Sequence, residues 1–119
     1  MGLDPAVLAS VVNSSTGACW ASSVNNPVPG ALADKSPPCD RNYEGGFATA
    51  LMLKDMGLAT HIANQQENSL PLGEAAEIIY NQVVKNNPEL AQRDFSSVYL
   101  YLKEAGRTVT VTGEGVDIT

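Results

Sequence analysis

The stretch Phe47–Gln66, FATALMLKDMGLATHIANQQ, constrains the fold of this chain more than any other segment. It is almost free of charge, apart from the adjacent pair Lys54 and Asp55 at its middle. At about 100° per residue, its largest aliphatic and aromatic side chains fall within one narrow stripe: Phe47, Leu51, Leu58 and Ile62. Alanines and methionines widen this apolar face to about half of the cylinder. We therefore expect a long central helix that other helices surround.

Lys54 lies at the edge of this apolar face, and His61 follows one heptad later on the same side. A lysine beside a buried stripe snorkels to solvent, finds a partner or serves a ligand. Snorkelling is the ordinary behaviour of lysines at helix edges. On spacing alone, a snorkelling lysine at the rim of a core is therefore the favoured interpretation.

The remaining periodic segments predict an all-α domain with four main helices and short ones. Besides the central helix, the main helices are expected to start at residues that suit a helix N-terminus: Asp4 with Pro5, Pro71, and Asp94. Their expected ends are Asn13–Ser15, the Asn86-Asn87-Pro88 break, and Gly106. Short helical turns are expected within residues 16–23 and 88–92. The tail RTVTVTGEGVDIT alternates like a strand without a partner, so residues 107–119 are expected to be a loosely packed or disordered extension.

Residues 14–46 are rich in Ser, Asn, Pro and Gly, as in NNPVPG at 25–30 and SPPCD at 36–40. Long segments with little secondary structure are uncommon in compact domains and are often functional. This segment holds Trp20, the only tryptophan. A tryptophan in a polar loop usually anchors that loop on the core, and contact with a ligand or a partner subunit is the alternative.

Composition argues against several kinds of partner and site. The net charge is −6 and the seven Lys and Arg residues are scattered, which argues against nucleic acid and anionic membrane surfaces. No apolar run approaches the roughly 20 residues of a membrane-spanning helix, and the start MGLDPAVLAS has no signal-peptide pattern. Cys19 and Cys39 are expected to be free thiols, although their spacing does not exclude a disulfide.

The motifs of a complete enzyme are missing from the sequence. There is no glycine-rich dinucleotide loop, Walker loop or HExxH motif, and one histidine with two loop cysteines gives no obvious triad or metal site. The acidic pair Glu74 and Glu77 is explained by the dipole at a helix N-terminus. The residues alone therefore do not indicate a complete enzyme.

The segment Lys54-Asp55-Met56-Gly57-Leu58-Ala59-Thr60-His61 resembles the motif Lys-Asp-Leu-Gly-x-Ala-x-Asp of the β-hydroxyacid dehydrogenases. Met56 for Leu is a conservative change of volume, whereas His61 removes the carboxylate of the motif. Further matches follow in order from Gly2 to Glu104: GLDPAVLASVVNSSTGACW, NNPVPG, YEGGFATALMLKDMGLA, LPLGEAAEIIYNQ and DFSSVYLYLKE. The Cys19-Trp20 pair and NNPVPG resemble the 3-hydroxyisobutyrate dehydrogenase branch more than the glyoxylate/succinic-semialdehyde or tartronate-semialdehyde reductases.

This resemblance implies that residues 1–106 form the all-helical C-terminal domain of a 6-phosphogluconate dehydrogenase-like enzyme. The Rossmann domain, which binds most of the NAD, and the catalytic lysine would lie upstream. Such enzymes oxidise 3-hydroxyisobutyrate to methylmalonate semialdehyde in valine breakdown. They are dimers or tetramers, found in the mitochondrial matrix of eukaryotes and otherwise in the cytoplasm.

The resemblance also implies roles for individual residues. Lys54 would contact the nicotinamide end of the cofactor, while Phe47, Asp55 and Trp20 would line the substrate pocket, with Ser14–Ser15 at its border. It places no catalytic residue and no metal in this chain, and His61 is interpreted as structural. The alternatives are a non-catalytic helical module for binding or oligomerisation, and a related 3-hydroxyacid or semialdehyde reductase.

Overall fold

The computed structural model describes residues 2–106, and this part of the chain is all-α, as the sequence predicts. The α-helices run in the order α1 Pro5–Asn13, α2 Trp20–Ser23, α3 Thr49–Gln65, α4 Pro71–Asn86 and α5 Val98–Ala105. Three 3-10 turns lie at Pro38–Arg41, Pro88–Leu90 and Phe95–Ser97. The four main helices and the short ones are confirmed, and the tail 107–119 lies outside the described residues.

The helix ends follow the local signals in the sequence. Asp4 caps α1 by accepting a hydrogen bond from the backbone N–H of Val7 at 3.0 Å, and Pro5 occupies the first helical position. Pro71 begins α4 in the same way. Gly106 ends α5 with a φ of +58°, a conformation that favours glycine.

The central helix α3 begins at Thr49, two residues later than expected, because the preceding backbone is paired with another segment. Phe47 accepts a hydrogen bond from the N–H of Phe95 at 2.8 Å. The N–H groups of Thr49 and Ala50 donate to the carbonyl oxygens of Arg93 and Ala91 at 2.8 and 2.9 Å. These bonds satisfy donors at the helix N-terminus that would otherwise need a local cap.

Helix α3 packs against α4 through small and polar residues. The hydroxyl of Thr60 donates to the carboxylate of Glu77. Gly57 allows this approach, since a Cβ atom there would lie 3.2 Å from Oε1 of Glu77. Glu77 therefore joins the two helices in addition to its favourable place near the start of α4.

The expectation that other helices surround α3 is wrong for the described part of the chain. Thr49 and Thr60 are the buried residues of α3, whereas Leu51, Leu58 and Ile62 are 46%, 55% and 58% exposed. Nine residues separate Leu51 from Thr60, which places them about 180° apart on the helix. The inward side carries Thr49, Thr60 and the half-buried Leu53 and Met56, and the stripe of Leu51, Leu58 and Ile62 is the solvent-exposed side. Leu72 of α4 and Leu102 of α5 are also exposed, although their spacing from Val83 and Val98 favours the inward stripe of each helix.

The long segment between α2 and α3 is held by buried side chains. Tyr43 donates its hydroxyl to the carbonyl of Pro27 at 2.7 Å, and the thiol of Cys39 contacts the carbonyl of Asn26 at 3.0 Å. Burial raises the pKa of Tyr43 to about 12 and that of Cys39 to about 11, because both charged forms would lose hydration. Cys39 and the exposed Cys19 are both free thiols.

Within residues 2–106, none of the helices has both the length and the apolar character that crossing a membrane requires. In the same range, no three His, Cys, Asp or Glu side chains are close enough to hold a metal ion together.

Candidate functional site

Two of the residues assigned to the substrate pocket, Trp20 and Phe47, meet through a third aromatic residue, Phe95. The rings of Trp20 and Phe95 are stacked, with centroids 6.3 Å apart and 8° between their planes. Phe47 approaches Phe95 edge to face, also at 6.3 Å. Both geometries are favourable for aromatic pairs. The three rings line a cavity of about 480 Å³, which we call the aromatic cavity.

The sequence elements explain how these three rings come together. Trp20 is the first residue of the short helix α2, Phe47 precedes α3, and Phe95 opens the 3-10 turn before α5. The backbone hydrogen bond between Phe47 and Phe95 holds their two rings in contact. Trp20 remains 57% exposed and Phe47 38% exposed, so the outer side of this wall is open to a ligand or another domain.

Asp94 forms the buried polar part of the aromatic cavity and is only 1% exposed. Its Oδ1 accepts from the N–H of Phe47 at 2.9 Å. Its Oδ2 accepts from Nδ2 of Asn25 at 3.0 Å, and from the N–H and hydroxyl of Ser96. No cation is paired with this carboxylate among the described residues, so hydrogen bonds alone compensate for its burial.

Lys54 and Asp55 lie outside the aromatic cavity. Their side chains form an ion pair, with Nζ 2.8 Å from Oδ1, and are 59% and 49% exposed. An exposed pair of this kind adds at most about 1 kcal/mol to stability. Both groups remain accessible for other contacts. The structure thus joins Trp20 to Phe47 through Phe95, and it joins Lys54 to Asp55.

The residues with weaker assignments make local contacts. The hydroxyls of Ser14 and Ser15 donate to the carbonyl of Val11 in α1, at 3.1 and 2.9 Å. His61 contacts Gln65 one turn along α3, with 3.0 Å between their nitrogens.

Sequence reasoning assigned no pocket role to Phe95, Asp94 or Asn25. Asp94 was interpretable only as a helix cap, which it is, since it accepts from the N–H of Ser96. The usable signal was Gly45-Gly46 directly before Phe47, because a Cβ atom at Gly46 would lie 2.2 Å from Oδ1 of Asp94. A glycine required by a close approach marks a packed site, but it does not tell which residue approaches.

Comparison with known proteins identifies the family. The sequence model described as the NAD-binding domain of NADP-dependent 3-hydroxyisobutyrate dehydrogenase matches residues 1–102. The mitochondrial 3-hydroxyisobutyrate dehydrogenases of Drosophila melanogaster and Rattus norvegicus are 46% and 44% identical over 103 residues. These matches cover 87% of this chain and 31% and 30% of the relatives, so the chain spans about a third of their length.

A solved structure agrees with these sequence matches. The 3-hydroxyisobutyrate dehydrogenase of Mycobacterium tuberculosis, solved with L-serine, superposes with a TM-score of 0.77 at 37% identity. The match covers 86% of this chain and 33% of that protein. On the family match, the relatives and the shared helical architecture, this chain belongs to the 3-hydroxyisobutyrate dehydrogenase family.

Proposed function

We propose that this chain is the C-terminal domain of an NAD-dependent 3-hydroxyisobutyrate dehydrogenase, where it closes the substrate and cofactor site and contributes to oligomerisation. The matched relatives are about three times as long as this chain. The residues that hold the dinucleotide phosphates in such enzymes form a glycine-rich loop at a helix N-terminus, and the sequence contains no such loop. The chain alone is therefore proposed to be inactive.

The proposed reaction converts 3-hydroxyisobutyrate to methylmalonate semialdehyde, a step of valine breakdown. When bound, NAD would supply the hydride acceptor for the carbon that carries the hydroxyl. The hydroxyl proton goes to a lysine that the resemblance places in the missing part of the enzyme. No residue of this chain is assigned to proton transfer.

Lys54 is proposed to contact the nicotinamide end of the cofactor. Its side chain is 59% exposed, its ammonium carries three donors, and its ion-pair partner is the neighbouring Asp55. The remaining donors suit a ribose hydroxyl or a carboxamide oxygen. Asp55 would hold the ammonium in place and keep its charge compensated. The residues present thus fit a polar part of the cofactor.

The aromatic cavity is the observation that carries the assignment of a substrate pocket. Trp20 and Phe47, both assigned to the pocket by the resemblance, are 57% and 38% exposed and are linked by Phe95. A wall of this kind excludes water from a small hydroxyacid and from the path of a hydride. The Mycobacterium tuberculosis relative was solved with L-serine, which is also a 3-hydroxy acid, so serine is a natural competitor in any assay.

Assembly and location are proposed on the same basis. Dimers or tetramers would cover the exposed apolar stripe of α3, which a monomeric protein rarely leaves open. The Drosophila and rat relatives are described as mitochondrial. We propose the mitochondrial matrix for a eukaryotic source and the cytoplasm otherwise.

The test begins with the coding sequence upstream of Met1, which should encode a dinucleotide-binding domain. The extended enzyme is then assayed for NADH formation with 3-hydroxyisobutyrate, with serine and glycerate as competitors. Lys54→Ala should raise the KM for NAD more than it lowers kcat, because it removes binding and leaves the proton-transfer lysine in place. Lys85→Ala, on the exposed end of α4, is the matched control and should change neither constant.

Two results would overturn the proposal. One is an upstream sequence without a dinucleotide-binding domain. The other is a folded extended protein with no turnover of any 3-hydroxyacid, which would favour the non-catalytic helical module. Turnover of serine or glycerate in preference to 3-hydroxyisobutyrate would instead indicate a related reductase.

A further inference from the structure

The carboxylate of Asp94 is placed where it contacts two different parts of the aromatic cavity. Oδ1 accepts from the backbone of Phe47, directly before α3. Oδ2 accepts from Asn25, five residues after Trp20 on the segment that follows α2. Phe95, whose ring lies between the other two, is the next residue in the chain. One buried group thus connects the three segments that supply the aromatic wall.

The hydrogen bonds of Asn25 show that Asp94 determines the orientation of its side chain. An ionised carboxylate only accepts hydrogen bonds, so the amide nitrogen of Asn25 must face it. The amide oxygen then has no partner among the described residues, although Asn25 is only 6% exposed. A buried acceptor without a partner is unfavourable. Asn25 keeps this orientation because the contact with Asp94 outweighs that loss.

On the other side of the carboxylate, the backbone has a glycine, Gly46, where the Asp94 side chain approaches closely. Gly46 has a φ of +70°, and a Cβ atom there would lie 2.2 Å from Oδ1 and 2.9 Å from Cγ of Asp94. No rotation of an added side chain relieves that contact, since Cβ is fixed by the backbone. The chain therefore passes over the carboxylate at the point where Phe47 begins the wall.

We propose that Asp94 is a positioning residue, which fixes Phe47, Asn25 and Phe95 so that the Trp20–Phe95–Phe47 wall presents one rigid surface to the substrate. This inference rests on the proposed function for its link to the substrate, while the structural link between Asp94 and the wall does not. The carboxylate is 1% exposed and is not assigned any chemical step.

The test uses the spectrum of Trp20 in the full 119-residue chain, where it is the only tryptophan. Asp94→Asn keeps the size of the side chain but replaces one acceptor oxygen with a donor. That donor must face either Phe47 N–H or the donors of Asn25 and Ser96. We expect the tryptophan band of the near-ultraviolet circular dichroism to lose most of its intensity and the emission to shift to the red, with the far-ultraviolet spectrum retained.

Thr49→Val is the matched control for general weakening of this region. Thr49 is fully buried, and its hydroxyl contacts the carbonyls of Arg93 and Asp94 and the hydroxyl of Ser97, but not the carboxylate of Asp94. It should leave the Trp20 signals unchanged. Asn25→Ala removes one of the contacts of Asp94 and should produce a partial loss of the band.

A folded Asp94→Asn chain with the parent Trp20 signals would overturn the proposal, as would an equal loss in Thr49→Val. If Asp94→Asn does not fold, Asn25→Ala decides, and unchanged signals there reject the positioning role. Because these spectra need no turnover, failure of the proposed function leaves the test intact. In the extended enzyme, Asp94→Asn should raise the KM for 3-hydroxyisobutyrate more than the KM for NAD.

Discussion

Two regions of this molecule reverse the usual pattern of polar residues outside and apolar residues inside. Its centre contains a polar junction, which we define as Asn25, Thr49, Asp94, Ser96 and Ser97, all at most 6% exposed. The outer face of α3, formed by Leu51, Leu58 and Ile62, is 46–58% exposed. The junction satisfies most of its hydrogen bonds within the chain, whereas the outer face has no cover in the described part.

The contrast shows what each region needs from its surroundings. Buried polar groups are tolerated when they are paired, and the junction pairs Asp94 with four donors. Each of the half-exposed aliphatic side chains of the outer face forgoes about half of the roughly 1.5–3 kcal/mol that full burial would contribute. The junction therefore makes most of its contacts within the chain, whereas the outer face is a surface suited to another domain or subunit.

The largest loss of stability is expected at Gly46, where an added Cβ atom would overlap the carboxylate of Asp94. Gly46→Ala should lower the free energy of unfolding by about 3 kcal/mol or more, because it combines backbone strain with displacement of a buried carboxylate. Urea unfolding followed by far-ultraviolet circular dichroism measures this change.

Gly30→Ala is the control for backbone strain alone. Gly30 has a φ of +78°, close to the +70° of Gly46, and an added Cβ would meet no atom within 4 Å. It should cost only about 1–2 kcal/mol, the penalty for a left-handed residue. Equal losses for the two variants would show that the approach of Asp94 to the backbone has no energetic consequence.

The next largest loss of stability is expected from truncating a buried aliphatic residue, compared with truncating an exposed one. Val83 in α4 is fully buried, while Leu58 is 55% exposed. Val83→Ala should lower the free energy of unfolding by about 2 kcal/mol through the cavity that it leaves. Leu58→Ala should change it by no more than about 0.5 kcal/mol, although it removes more atoms. A loss at Leu58 as large as that at Val83, measured at a concentration where the chain is monomeric, would mean that the outer face is covered within the chain.

The sequence predicted the helices better than it predicted which side of them is buried. Local signals such as Asp4, Pro71 and Gly106 identify helix ends because capping depends on neighbouring residues. The period of the apolar residues in α3 identified the stripe of Leu51, Leu58 and Ile62. Period alone does not tell whether the cover of such a stripe comes from the same chain or from another domain, and here it does not come from residues 2–106.

The pocket roles of Trp20 and Phe47 stay a prediction, and sequence reasoning assigned no role to the residues that hold them. Trp20 and Phe47 were identified through the family resemblance, and the cavity brings them together through Phe95. Asp94 could be recognised as a cap from its place before α5. Its contacts with Asn25 and Phe47 span 69 and 47 residues of sequence, so no local pattern contains them.

The outer face should make the isolated chain associate with itself. We expect a sedimentation coefficient that rises with concentration, since the exposed stripe can pair with its copy. Leu58→Glu should suppress this rise without changing the far-ultraviolet spectrum. Leu72→Glu is the control, as it replaces an 86% exposed leucine on α4, outside the outer face. A monomer over the whole concentration range would show that exposure alone does not make this face adhesive.

The last comparison concerns the alkylation rates of the two thiols, Cys19 at the surface and Cys39 in the interior. It needs no substitution, so it leaves the stability of the chain unchanged. Hydrogen bonds with Ser22 lower the pKa of the exposed Cys19, and burial raises the pKa of Cys39 to about 11. Because the thiolate is the nucleophile, iodoacetamide should modify Cys19 at least about 100-fold faster near neutral pH.

The pH dependence of Cys39 separates burial from a slow intrinsic reaction. A raised pKa means that its contribution to stability is complete below the ordinary value of 9.0 and is lost as the pH rises toward 11. Burial of Tyr43 and Tyr80, which raises both pKa values to about 12, acts in the same direction. Mass spectrometry of alkylated peptides should therefore show Cys39 protected at pH 8 and increasingly modified above pH 9. Equal modification of Cys19 and Cys39 at pH 8 would mean that the segment carrying Cys39 opens readily. The hydrogen bonds that hold this segment would then be too weak to keep Cys39 buried.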